Sequence, residues 1–534
     1  MTLREISSAE QIGFPILSLL ILLPLLAAAA LRVLRDERTA LGIALAGAGL
    51  ELALSALLAV RFIPEVADVQ FVERGPSLPF IGASYHLGVD GVSVLFVPVT
   101  ALLTLLVVAY AEYSVRAQAR HYLAATLILE ATLIGAFVSL DLLLFWIFFV
   151  AELVPSYALI TRWGTGPGRQ EAARDYVRAM LVGSALMLVG MVLLARNHAD
   201  LGPGGAWSFD LVELLRTPVP RELQTFIFFL LFFGFAIKAP VFPFHTWLPK
   251  VLEQGPIVGM SVFLIGVKLG TYGFIRFIIP LLPEASREWY WLMAAFGAAG
   301  IIYGSLIALV QSNLRRVLAF GSLSHMGAVI IGIFSLNFHG LQGGLLQMIN
   351  LGVTGAGLFF VAGFIAARIG APELRVLGGL APTVPLLTTT FLVIALAGIG
   401  LPGTNGFNGE HLIMLGAYQA HWAMALMSGL GVFLTAAYLI RYFQRAFLGD
   451  TLAPSAATMP DLRPRELLIA ATLGVFIFWV GLFTTPFLHA MNGSLRAIEE
   501  RVERGSFRGT GAADAPGVHR FADAPELLRF EVRP

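Results

Sequence analysis

Lys238 lies inside Phe226–Leu248, an otherwise apolar stretch, beside Pro240 and Pro243. A charge at that depth is costly, and prolines free backbone groups that need other partners, so the combination reads first as part of an ion or proton path. Glu130, Glu152, Lys268 and Glu410 stand in comparable apolar surroundings, with His245, His325 and His411 close to them in sequence. Carboxylates and ammonium groups held in a low-dielectric interior alter each other's hold on a proton, so a charge moved at one changes the occupancy of the next. Such a set is suited to relaying protons. The same residues could instead lock helices together as static ion pairs, and a single buried histidine is often only hydrogen-bonded to backbone. Metal binding is not expected, because no pair of ligands sits at helical spacing with a third nearby.

The elements that must position these groups follow from composition. With 57% hydrophobic and 13% charged residues among 534, and a mean hydropathy of +0.80, the chain has too little polar surface for a soluble globule. It reads as an all-α polytopic membrane protein with the lipid bilayer as solvent. The absence of cysteine excludes disulfides and thiolate-bound iron–sulfur clusters. No Gly-rich nucleotide loop lies between a soluble strand and a helix. No cofactor is therefore expected on this chain, and any redox chemistry belongs to a partner. The net charge of +1 points to no nucleic-acid partner. Glu5 and Glu10 precede the first apolar run, Phe14–Leu31, which is long enough to span and does not look like a cleaved leader.

Apolar runs of span length are expected at about 14–34, 41–62, 91–112, 122–140, 141–161, 177–195, 226–249, 254–281, 290–311, 317–336, 340–367, 380–418, 421–446 and 465–489. The seventh and twelfth read as broken helices, the twelfth because Gly400-Leu-Pro-Gly-Thr-Asn-Gly406 interrupts it. Basic residues such as Arg35, Arg116, Arg162, Arg169, Lys250, Arg315, Arg375 and Arg445 fall beside loops after odd-numbered spans, which places both termini outside. Two broken helices five spans apart suggest two inverted five-helix repeats, roughly 122–281 and 290–446. Residues 1–491 then form the transmembrane domain. Residues 492–534 read as a polar tail without a strong apolar period.

Several segments together carry a specific resemblance. They are Gly88-Val-Asp-Gly-Val-Ser93, Leu129-Glu130-Ala131, Ile237-Lys-Ala-Pro-Val-Phe-Pro-Phe-His-Thr-Trp-Leu-Pro249, Lys268-Leu-Gly-Thr-Tyr-Gly273, Ser322-Leu-Ser-His-Met-Gly327 and Gly400-Leu-Pro-Gly-Thr-Asn-Gly-Phe-Asn-Gly-Glu410. From about Gly88 to Phe447 the chain resembles the antiporter-like M subunits of bacterial respiratory complex I, equivalent to chain 4 of the mitochondrial enzyme. The resemblance implies a non-redox subunit of the bacterial inner membrane that translocates protons while other subunits oxidise NADH and reduce quinone. FMN, iron–sulfur clusters and quinone would sit in those partners, and L-like and N-like antiporter subunits would be neighbours in the membrane arm. It also implies that Lys238, Lys268 and Glu410 are the lysine of broken helix seven, the central lysine of helix eight and the terminal acid of broken helix twelve.

Three departures from the family pattern stand out. The family's helix-five glutamate aligns with Val150, and Glu152, two positions on, would be rotated by about 200° in an ideal helix. Pro155 removes a hydrogen bond from the Ala151 carbonyl and can turn the helix locally, which would bring Glu152 to Lys238. Leu351 in Gln347-Met-Ile-Asn-Leu-Gly352 replaces a usual histidine, and Lys250-Val-Leu stands where Asp-Ala-His is usual. These departures leave a second reading open: an ion- or inorganic-carbon-transport subunit of a related hydrogenase, cation/proton antiporter or carbon-uptake complex. A purely structural spacer is a third.

Overall fold

The computed structural model describes residues 4–505 apart from 34–35, 79, 116, 203–204, 371, 375 and 451–457. Arg35, Arg116, Arg375 and the tail beyond residue 505 lie outside the described residues. The N-terminal part runs β1 (Glu5–Ser7), α1 (Ser8–Gln11), α2 (Ile16–Val33), α3 (Glu37–Arg61), β2 (Val69–Leu78), β3 (Ala83–Val89) and α4 (Phe96–Ser114). The first central block is α5 (Ala119–Val138), α6 (Leu142–Ala151), α7 (Leu153–Trp163), α8 (Arg169–Leu201), α9 (Leu211–Leu214), α10 (Arg221–Lys238), α11 (Trp247–Gln254) and α12 (Met260–Gly273). A π turn, Phe274–Ile278, and α13 (Ile279–Leu281) close it. The second block is α14 (Pro283–Val310), α15 (Leu314–Ile333), α16 (Phe338–Ile369), α17 (Pro385–Ile399), α18 (Asn405–Ala420) and α19 (Trp422–Phe447), followed by α20 (Pro464–Leu482) and α21 (Thr485–Gly505).

Among the described residues, twelve helices are long and apolar enough to cross a membrane. Every residue in the most apolar window of the α12 segment is buried, and nearly all of that in α16, so these two helices form the axis around which the others pack. Both broken segments are broken where glycine and proline demand it. α10 stops at Lys238 because Pro240 has no N–H, and the Ala236 carbonyl bonds Val241 N instead, at 2.9 Å. The Ile237 carbonyl left over accepts from the Trp247 indole at 2.9 Å, which meets the requirement that no backbone group stay orphaned in a bilayer. α17 ends at Gly400 in the left-handed region (φ +81°), open to glycine at little cost.

The expectation of an all-α chain is corrected by a small sheet in the segments that read as polar loops. β1 pairs parallel to β2, and β2 antiparallel to β3, with Arg74 opposite His86. Its charges are tied off locally: Arg74 donates to Glu5 at 2.7 Å and to Asp210 at 3.1 Å, and His86 Nδ1 lies 2.8 Å from Asp210. The Gly88-Val-Asp-Gly motif has a structural use. Asp90 caps the turn before α4 by accepting from Val92 N at 2.9 Å and pairs with the buried guanidinium of Arg276 in the π turn.

The boundary expected at residue 491 falls inside α21, so the first part of the polar tail is ordered. Met491, Leu495, Ile498 and Val502 are buried, and their spacing of four, three and four residues is the stripe of an amphipathic helix. That helix straps loops together. Glu65 N donates to His489 O at 3.1 Å, Gly91 N to Ser494 Oγ at 2.9 Å, Phe338 N to Glu499 Oε1 at 2.7 Å, and Arg501 donates to Leu215 O at 2.7 Å and to Pro280 O.

Two outcomes follow. Leu495→Ala should loosen the strap by about 2–5 kcal/mol, read as protease cleavage within α21 at lower dose; wild-type resistance would refute the strap. The Glu5 carboxyl is held below its usual range chiefly by the Arg74 hydrogen bond. Burial alone would raise Asp210, but His86 and Arg74 bring it below its usual value. Both acids therefore stabilise the sheet above the ordinary carboxylate range and stop doing so as pH falls through their lowered values. Amide exchange in β1 should rise on acidification, and Arg74→Ala should reduce that pH dependence, with His86 still bonded to Asp210.

Candidate functional site

The Asp141 carboxylate caps α6, accepting from Leu143 N at 2.9 Å and Leu144 N at 3.0 Å. Ten residues later α6 ends, and Glu152 forms the joint with α7. Pro155 leaves the Ala151 carbonyl without its helical donor, which is what lets the chain turn there. Glu152 is thereby brought into contact with Lys238: its Oε1 and the Lys238 Nζ form an ion pair whose side chains are both 1% exposed. Val150, at the usual family position, is only half-buried. The contact between Glu152 and Lys238, expected if the helix turns near Pro155, is present in the structure.

Tyr176 of α8 completes this pair, a residue that carried no signal in sequence. Its hydroxyl donates to Glu152 Oε1 at 2.5 Å and accepts from Lys238 Nζ at 3.2 Å. The rings of Phe149 and Tyr176 lie 5.4 and 5.5 Å from Nζ, within cation–π range. Glu152 Oε2 has no partner. It points at Gly266 of α12, where a Cβ would lie 2.8 Å from it.

Lys268, on the same helix, is buried without a carboxylate beside it; Nζ lies 4.0 Å from Met326 Sδ. It lines a cavity of about 40 Å³ with His325, Leu351, Thr354 and Tyr438. A buried water needs roughly 10–15 Å³, so the cavity has room for water between Lys268 and His325. His325 Nδ1 lies 3.8 Å from Glu410 Oε1, and its Nε2 is 3.4 Å from the Tyr438 hydroxyl. Glu410 also accepts from Gln347 Nε2 at 3.2 Å, and Asn350 joins Gln347 to the Asn405 carbonyl in the break between α17 and α18. The missing side chain of Gly400 is what leaves space for the Glu410 carboxylate.

The structure thus brings together Glu152 with Lys238, and Lys268, His325 and Glu410 around one cavity and its wall. His245 stacks on Phe242 at 5.6 Å and meets Tyr303 edge-on at 5.0 Å, and His411 is exposed and stacked on Phe407 at 5.6 Å. Glu130 is fully buried without a hydrogen-bond partner. Glu51 of α3, a helix that packs on α5, is likewise buried with its carboxyl oxygens unpartnered among the described residues. The signal for Glu51 was present, since it is the sole ionisable residue between Thr39 and Val60. Of the departures, Leu351 puts an apolar wall where a titratable ring would reach Lys268, and Lys250 is half-exposed and paired with Asp175 at 2.5 Å.

Gly266→Ala should displace Glu152 from Lys238 while leaving both charges in place. Transport by the assembled complex should fall markedly, and Val150→Glu should give no gain in an otherwise unaltered chain. Wild-type transport in Gly266→Ala, or a gain from Val150→Glu, would show that the Glu152 contact is not the working one.

Comparison with known proteins fits this geometry. Residues 139–435 match the family described as NADH:quinone oxidoreductase/Mrp antiporter, TM. The "NADH-quinone oxidoreductase subunit M" of Rickettsia prowazekii is 34% identical over 495 residues, covering 91% of this chain and 99% of that protein. A chain of respiratory complex I from Thermus thermophilus, solved with bound NADH, superposes with a TM-score of 0.83 at 32% identity, covering 91% of this chain and 99% of its own. A chain of the Mrp complex from a Dietzia species shares the fold, with a TM-score of 0.79 at 24% identity over 92% of this chain and 100% of its own. With the buried Lys238–Glu152 pair and the broken helices that hold it, the chain belongs to the NADH:quinone oxidoreductase/Mrp antiporter transmembrane family.

Proposed function

We propose that the chain is a membrane-arm, M-type subunit of a complex I-type NADH:quinone oxidoreductase and translocates protons for it without redox chemistry of its own. Glu152, Lys238, Lys268, His325 and Glu410 carry the proton, with Glu130 and His245 beside the route. The observation that carries this reading is the buried Lys238–Glu152 pair at the end of a broken helix. A charge held at that depth by a partner that can also take its proton is a transport element rather than a packing one. Tyr176 adds a third oxygen through which the pair's geometry responds to protonation. FMN, iron–sulfur clusters and quinone belong to partner subunits, and L-like and N-like subunits are its neighbours in a bacterial inner membrane, with both termini outside.

The architecture proposed with it is fourteen crossings, the twelve long helices plus the two broken segments, in two inverted five-helix repeats. Packing supports the repeat. In the first block α8 packs on α10 and α11, α10 on α12, and α5 on α12; in the second, α16 packs on α17 and α18, α17 and α18 on α19, and α14 on α19. Each broken helix thus packs on the helix before it and the helix after it in its own block, which fits the arrangement in which inverted repeats place discontinuous helices around a transport site.

Lys238→Ala should abolish or strongly reduce proton pumping by the reconstituted complex while the subunit stays assembled. Removing one partner of a buried pair costs about 3–5 kcal/mol, so Lys238→Met combined with Glu152→Gln, which leaves no net charge, separates folding from transport. Lys238→Arg should not restore pumping, because guanidinium does not release its proton. Wild-type pumping and NADH-coupled quinone reduction in these variants would overturn the assignment.

A further inference from the structure

Glu51 belongs to the buried stripe of α3 that also holds Ala40, Ala44, Ala48, Ser55 and Leu58. Small residues let α3 close on its neighbours: a Cβ on Gly47 would lie 3.1 Å from the Ala27 Cβ of α2. The acid is sealed inside that seam, with neither carboxyl oxygen hydrogen-bonded. Glu130 of α5 is in the same condition, and the charged group acting on it is Glu51. Thr104 of α4 is also fully buried, and its hydroxyl faces Glu130 without any partner at hydrogen-bonding distance. α3 packs on α4 and α5, so three helices converge on two carboxyls and one hydroxyl.

Of the charged groups on the elements packed around α5, Lys268 of α12 lies against Met326, His86 of β3 bonds Asp210, Glu152 at the α6–α7 joint pairs with Lys238, and Glu112 of α4 pairs with Arg465. Two ionised carboxylates in one dry site repel each other and lack hydration, and acids placed so share protons rather than ionise together.

We infer that Glu51 and Glu130, with Thr104, form a carboxylic dyad that takes up and releases a proton as a unit. On release, the O–H of one acid becomes a carboxylate that accepts from the remaining carboxylic O–H and from the Thr104 hydroxyl. The destination, which rests on the proton-transport reading above, is Glu152. Leu133, one turn from Glu130 on the same face of α5, and the unpartnered Glu152 Oε2 both border Gly266, at 3.1 and 2.8 Å from its Cβ position.

The test is infrared difference spectroscopy of the whole complex in nanodiscs, without turnover, comparing wild type with Glu51→Gln. The wild type should show a protonated-carboxyl band at neutral pH that shifts in D2O, is indifferent to added Na+ and is lost or shifted in Glu51→Gln. A spectrum unchanged by Glu51→Gln overturns the dyad. So does a band that exists only when Na+ is withdrawn, which would make this a monovalent-cation site. If Glu51→Gln does not assemble, Thr104→Val reads the same band: a shift supports the dyad, an unshifted band overturns it. Because no NADH turnover is needed, failure here is distinguishable from failure of the Lys238 experiment.

Discussion

A charge moved from water into a dry protein interior costs several kcal/mol even after relaxation, and Lys238 carries one at 1% exposure. The elements around it can be understood as consequences of meeting that cost. Glu152 supplies the opposite charge, Tyr176 bonds both partners, and two aromatic rings turn their faces to the ammonium. Glu152 and Lys238 meet where their helices end, whereas Tyr176 reaches them from within the unbroken α8. α10 has to end at Lys238, and the α6–α7 helix has to turn at Glu152. The prolines at 240 and 155 are therefore part of the electrostatics, since each deletes one backbone bond where the chain must bend.

Bending creates its own debt of unpaired backbone groups, and the structure meets it with side chains from nearby turns. The Trp247 indole takes the Ile237 carbonyl in the first break. In the second, Asn350 takes the Asn405 carbonyl, and Gln347 passes the connection to Glu410. The two breaks are thus solved differently. The first is capped by an indole and surrounds its ion pair with aromatic rings, whereas the second is lined by amides and adjoins the cavity that holds Lys268 and His325. Amides can accept and donate in turn, so the second break tolerates a change of protonation at Glu410 without leaving a buried group unsatisfied.

The helical scaffold was legible because its signal is long and repeated. Apolar runs, a proline pair and a glycine-rich interruption located both broken segments and the groups they carry. What sequence left open was rotation. A helix of ideal pitch turns Glu152 away from Lys238, and only the degree of bending at Pro155 decides the matter, a quantity no spacing rule contains. Glu51 was passed over because its span was read by average hydropathy, which one carboxylate among alanines and leucines barely lowers. The opposite error hid α21: Arg496, Glu499, Glu500 and Arg501 depress the average of a segment whose Met491, Leu495, Ile498 and Val502 nevertheless form one stripe. The sheet was missed because its pairing depends on partners far apart in the chain, as in Arg74 with Glu5 and Asp210.

Leu351 shows how the two halves of the site depend on the same constraint. A titratable ring at that position would give Lys268 a protein group through which to pass a proton toward His325. The leucine removes it, yet it also leaves the cavity of about 40 Å³ beside Lys268. Water can occupy such a space only with polar partners, and the lysine, Thr354, His325 and Tyr438 supply them along its wall. An apolar side chain at this position thus leaves a polar-lined space beside Lys268 in place of a fixed ring. Among the described residues Lys268 has no carboxylate beside it, unlike Lys238, and its nearest polar partner is Met326 Sδ at 4.0 Å. Any motion that opens or closes the space between α12, α15 and α16 therefore changes the room left beside the Lys268 ammonium.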